Sequence, residues 1–81
     1  MARVSISSTF QHAVDGSDLI EIEATTIGEL LLRIVDRYPK MAEYVDEGIA
    51  VAIDGEIYRD DQSVVIKPGV EVFLIPRIQG G

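Results

Sequence analysis

Few residues in this chain could do chemistry of their own, and the shortage narrows the options. There is no cysteine, which excludes disulfides, thiolate metal sites and cysteine nucleophiles together. His12 is the one histidine, so no metal site can be built on a histidine pair, and His12 reads as a surface or partly buried structural residue. Asp60-Asp61, or Asp15 with Asp18, could attract a hard cation. They lack the regular oxygen-ligand spacing of a calcium loop and read as solvated loops. The glycines are too scattered to cradle a phosphate. Lys40 and Lys67 are the only lysines, and nothing singles out either as the acceptor of a modifier. What remains is the end of the sequence, Gly80-Gly81. Glycine has no Cβ, so a diglycine end can enter a channel too narrow for other residues and leaves its carboxylate unshielded. Fraying is the plain alternative for such an end, and the rest of the chain must decide between them.

The bulk numbers bound the answer. Eighty-one residues, 47% of them hydrophobic, make one small domain. With no Trp, two Phe and three Tyr, its core must be built from Ile, Val and Leu. No window approaches the ~18–20 apolar residues of a membrane span. Met1-Ala2-Arg3-Val4-Ser5 lacks the basic-then-apolar layout of a signal peptide, so a cytoplasmic protein is expected. A net charge of −7 argues against nucleic acid, which needs clustered Lys and Arg. It suits a basic surface on a partner protein, although solubility alone would also account for it.

Next come the elements that would position the diglycine. Arg3–Ser7 alternates polar and apolar residues and predicts a strand with Val4 and Ile6 inward. Ser8–Val14 is ambiguous, and Asp15-Gly16-Ser17-Asp18 is a turn cluster. Leu19–Glu23 predicts a second strand, with Ile20 and Ile22 on one face and Glu21 and Glu23 on the other, forming an antiparallel hairpin with the first. The period then changes. Thr26 is a helix N-cap, and Glu29 completes a capping box. Ile27, Leu30, Leu31, Ile34, Val35 and Tyr38 form one helical stripe. Glu29 and Arg33 pair at i,i+4, and Pro39 ends the helix. Gly28 inside the helix suggests a close helix–sheet approach.

Lys40–Gly48 predicts a short helical turn, Ile49–Ile53 a strand, Asp54-Gly55 a tight turn and Glu56–Tyr58 a short return strand. Lys67-Pro68-Gly69 reads as a type II-like turn, followed by a strand from Val70 to about Ile75. That last strand is apolar on both faces and belongs in the centre of the sheet, where it could lie parallel to the first. The fold class is therefore α+β: a β-grasp (ubiquitin-like) roll, with a mixed sheet of four to five strands and one main helix across one face. Residues 1–76 would form the domain and 77–81 a flexible tail. Glu71, Phe73 and Ile75 share one side of the last strand; Val70, Val72 and Leu74 share the other. The charge of Glu71 assigns its side to the face without the helix. Phe73 and Ile75 then become a docking patch just upstream of the tail, with covering by neighbouring side chains as the alternative.

The β-β-α-β order, the Pro68-Gly69 turn, the strand Glu71-Val72-Phe73-Leu74-Ile75-Pro76 and the final Gly80-Gly81 resemble the ThiS/MoaD family of sulfur carriers. The resemblance covers the whole chain and is closest to MoaD, the small subunit of molybdopterin synthase. Ile75 stands where the family often has an aromatic residue, Arg77 where a second proline is common, and Pro68-Gly69-Val70 where an acidic turn is common. The resemblance implies a carrier rather than an enzyme. It implies that an E1-like enzyme of the MoeB or ThiF type uses ATP to adenylate the Gly81 carboxylate, and that a sulfur donor converts the adenylate to a thiocarboxylate. Gly80, Gln79, Ile78 and Arg77 would form the arm entering the partner's active site, with Phe73, Ile75 and Pro76 docking. The partners implied are the activating enzyme and a MoaE-like large subunit or another sulfur acceptor, with no bound cofactor, metal, nucleic acid or membrane. The same tail would also serve a ubiquitin-like modifier conjugated through Gly81, or a carrier for thiamine thiazole, cysteine or tRNA thiolation. A β-grasp binding module with an incidental diglycine is a third reading.

Overall fold

The computed structural model describes residues 2–59 and 61–76. Strand β1 (Ala2–Ser5) leads to a short helix α1 (Ser8–Gln11) and a 3₁₀ turn (His12–Val14), then to β2 (Leu19–Ile22) and the long helix α2 (Ile27–Arg37). A second 3₁₀ turn (Pro39–Met41) runs into α3 (Ala42–Glu47), followed by β3 (Ile49–Ile53), β4 (Glu56–Tyr58) and β5 (Glu71–Pro76). The five strands form one sheet in the order β2-β1-β5-β3-β4. Two antiparallel hairpins, β1–β2 and β3–β4, flank β5, which is parallel to β1 and antiparallel to β3. This is the mixed β-grasp sheet that the sequence predicts, with its last strand in the middle. The expected tail, Arg77, Ile78, Gln79, Gly80 and Gly81, lies outside the described residues.

The ambiguous Ser8–Val14 stretch is helical and buries Phe10, Ala13 and Val14. It is closed by Asp15 at φ 58° and by the Gly16 N–H donating to the Gln11 carbonyl at 2.7 Å. Phe10, Leu30, Ile34, Met41, Val4, Val14, Val51 and Val72 are the largest fully buried side chains. The core is therefore aliphatic apart from Phe10 and Met41, and it lies between α2 and one face of the sheet. Leu30 and Ile34 form the centre of the α2 stripe, whereas Val35 and Tyr38 at its border are half-buried.

The start of α2 is more elaborate than its pattern suggests. The first N–H groups of a helix have no partner within it. Here the Ile27 N–H donates to the Val64 carbonyl (3.0 Å) and the Gly28 N–H to the Gln62 carbonyl (2.9 Å). The Glu29 N–H donates to Thr26 Oγ1 (3.2 Å). Half of the expected capping box is thus in place. The other half is displaced by one residue, because the Glu29 carboxylate accepts from the Thr25 N–H at 2.7 Å. The Ile66 N–H completes the seam by donating to the Thr25 carbonyl (2.8 Å). Gly28 is explained by this seam and not by a helix–sheet approach: a Cβ there would stand 3.1 Å from Gln62 Cβ and 3.3 Å from its carbonyl oxygen.

Turn chemistry sets the registers. Asp54 and Gly55 both take positive φ (50° and 86°), as a two-residue hairpin turn demands, and this fixes Ile53 opposite Glu56. Gly69, at φ 83°, fills the left-handed position of the Lys67–Val70 turn, which the Val70 N–H closes on the Lys67 carbonyl at 3.4 Å. Tyr38 sits at φ −129° ahead of Pro39, where α2 ends.

Candidate docking face and carboxylate arm

Strand β5 sorts its side chains by parity. Val72 and Leu74 are buried under α2, whereas Glu71 is exposed and Phe73 is 47% exposed. The face assignment made from Glu71 holds. Ile75 and Pro76 are half-buried, so Phe73 is the most exposed apolar side chain of the expected patch. Pro76 pairs with Ile49, so β5 ends beside the first residue of β3, and Arg77 to Gly81 continue from that corner in sequence.

The register adds two residues that the sequence reading did not place in the patch. Ser5 is opposite Leu19 on one side and Phe73 on the other, and Ala52 is opposite Phe73 and Ile57. Leu19, Ser5, Phe73, Ala52 and Ile57 therefore form one row across all five strands on the face without the helix. Leu19 is 40% and Ile57 57% exposed. The small Ser5 and Ala52 leave Phe73 standing between two shallow valleys, with Leu19 and Ile57 as outer rims. The next row carries Glu21, Arg3 and Glu71 in register, giving the apolar row a net acidic border. Signals for both missed residues were present. Leu19 shares the parity of Glu21, and a two-residue turn at Asp54-Gly55 forces Ile57 opposite Ala52.

The other candidate groups play structural parts. His12 Nε2 lies 3.0 Å from the Tyr44 hydroxyl, tying the first 3₁₀ turn to α3, and Tyr44 packs edge-on against Phe10. The Tyr58 hydroxyl donates to the Glu56 carboxylate at 2.9 Å, and this bond, with the surrounding negative charge, pushes the phenol up from its ordinary pKa. The Asp61 carboxylate accepts from the hydroxyl and the N–H of Ser63, which hold it below the ordinary value. Asp60, the other half of the acidic pair, lies outside the described residues. A cleft of about 160 Å³ lies among Ile27, Leu31, Val45, Ile49, Arg59 and Gln62, away from the Phe73 face. Among the described residues, no three acidic or histidine side chains are grouped to hold a metal, and no helix is long and apolar enough to cross a membrane.

Chemically, this arrangement offers a sticky sheet face, an acidic border and a strand that ends at one corner of the sheet. Among the described residues it brings together no acid, base and nucleophile. Known folds show the same frame. The chain superposes on a chain of the Amycolatopsis orientalis BexX/CysO complex with a TM-score of 0.82, at 21% identity, covering 100% of both. SAMP1 from Haloferax volcanii follows with a TM-score of 0.76, at 22% identity, covering 99% of this chain and 98% of that one. A putative molybdopterin converting factor subunit 1 from Pyrococcus furiosus also gives 0.76, at 22% identity, with 95% and 97% covered. At these identities the likeness concerns the fold. No curated protein matches significantly in sequence. The sequence profile of the ThiS family, however, matches residues 7–81. That span takes in the helix, the central strand and the diglycine, and on it the chain belongs to the ThiS family.

Proposed function

We propose that this protein is a sulfur carrier whose reacting group is the carboxylate of Gly81. One observation carries the reading: the family match extends through Gly80-Gly81, directly beyond a central strand that exposes Phe73. A carboxylate is a poor electrophile. An E1-like enzyme would let it attack the α-phosphorus of ATP, releasing pyrophosphate and leaving an acyl-adenylate. A sulfide equivalent then adds to the carbonyl carbon and AMP departs, giving a thiocarboxylate. This group is nucleophilic and largely ionised near neutral pH, so sulfur travels without a cysteine. The chain supplies the carboxylate and the docking face; the catalytic groups are the partner's. Such chemistry fits a cytoplasmic protein that meets an ATP-using activator.

For the acceptor, the similarity to a molybdopterin converting factor subunit 1 favours a MoaE-like large subunit and delivery of sulfur to molybdopterin. A second binding partner, of the BexX kind, is favoured by the similarity to a chain of the BexX/CysO complex. The test is to incubate the protein with a MoeB- or ThiF-type enzyme, ATP and a sulfur source and take its intact mass. The expected result is a gain equal to replacing one oxygen by sulfur. An unchanged mass with each enzyme would sink the proposal. An isopeptide-linked adduct in cells would instead indicate a conjugated modifier, and undiminished function after adding one residue beyond Gly81 would indicate a plain binding module.

A further inference from the structure

Strand β2 is an edge of the sheet, and an edge strand offers a row of free peptide groups to any other strand. The Ile6 N–H takes the Asp18 carbonyl at 2.9 Å, so by alternation Leu19 and Glu21 turn their peptide groups away from β1. At the middle of this free edge, Arg37 Nη1 donates to the Glu21 carbonyl at 3.0 Å. Arg37 is the last residue of α2, and its guanidinium carbon lies 5.3 Å from the centroid of the Tyr38 ring, which packs on the core. The helix end, the stop at Pro39 and the ring beneath it together fix where this guanidinium goes.

We propose that Arg37 is an autoinhibitory contact against strand addition: by occupying the Glu21 carbonyl it stops β2 from pairing with the same edge of a second copy. A two-fold antiparallel pairing centred on Glu21 would need that carbonyl and the Glu21 N–H. It would also set two Glu21 carboxylates opposite each other on one face, where like charges repel. The edge therefore has a hydrogen-bond guard and a weaker charge guard. The opposite edge, β4, is only three residues long and offers little to pair with. An open β2 edge would join sheets side by side and crowd the row around Phe73.

The test uses Arg37→Met, which keeps the stem against Tyr38 but has no donor, combined with Glu21→Thr, which removes the charge. Sedimentation velocity and amide exchange are measured on the parent chain, E21T, and E21T/R37M, with circular dichroism to establish folding. The double variant is expected to shift to twice the monomer mass, with slowed exchange at the amides of residues 19 and 21, while E21T stays monomeric. Three results would each overturn the proposal: a folded double variant that stays monomeric, E21T dimerising to the same extent, or a dimer whose residue 19 and 21 amides still exchange freely. Should E21T/R37M not fold, E21T with Arg37→Gln, whose shorter amide cannot span to β2, decides by the same readouts.

Discussion

Phe73 and Leu74 are neighbours on one strand with opposite fates. Leu74 is 3% exposed, and Leu74→Ala should cost about 2–5 kcal/mol in urea unfolding because it leaves a cavity. Phe73→Glu should stay within about 1 kcal/mol of the parent yet weaken binding to the activating enzyme by roughly tenfold or more, as expected when an apolar anchor becomes a charge. Unfolding of Phe73→Glu would mean that the ring holds the sheet together. Parity along β5 was legible because Glu71 marks one side. Ile57 was legible only through the Asp54-Gly55 turn, which sets it opposite Ala52, since a three-residue strand has no alternation to read. Asp61 shows what a local contact does. Its folded pKa is depressed, so its contribution to stability is present above the ordinary carboxylate pKa and is lost as pH falls through the folded value. Ser63→Ala removes the hydroxyl, the larger cause. An NMR titration should find the Asp61 midpoint raised toward the ordinary value but still short of it, because the Ser63 N–H remains.

At the scale of the element, α2 was written plainly in its stripe, its Thr26 cap and its stop at Pro39. The seam between its first turn and residues 62–66 was not, because that irregular segment carries no periodicity and its carbonyls are invisible in a sequence. Gly28 marked the spot without naming the neighbour. Thr26→Ala should cost about 1 kcal/mol, the usual value of an N-cap. Gly28→Ala should gain about 1 kcal/mol of helix propensity. It should lose more than that, for a net cost of about 1 kcal/mol, through the crowded Gln62 contact and the strained Gly28–Gln62 hydrogen bond. In a Gln62→Gly background the nearest atom is gone and the cost should shrink. A clear stabilisation by Gly28→Ala in the parent chain would show that the loop yields freely.

For the whole molecule, the two hairpins and the apolar run of the last strand pointed to the strand order. That strand is central because it pairs on both edges, and it buries one face only: Val72 and Leu74 are covered whereas Glu71 and Phe73 are exposed. Charge acts at this scale too. With a net charge of −7 and Glu21 and Glu71 bordering the apolar row, association with a basic partner surface should slow as salt rises toward ionic strengths where the screening length is about 3 Å. Stopped-flow association rates that do not change with salt would show that the charge serves solubility alone. The parallel pairing of β1 with β5 has a consequence for how the protein is made. The middle strand of the sheet is the last one to be translated, so the two hairpins have nothing to close around until β5 leaves the ribosome. A chain cut short before Glu71 would lack the centre of its sheet and would be exposed to proteolysis as an unfolded product. An intact Phe73 face therefore requires synthesis at least through β5, the strand that precedes the carboxylate proposed to react.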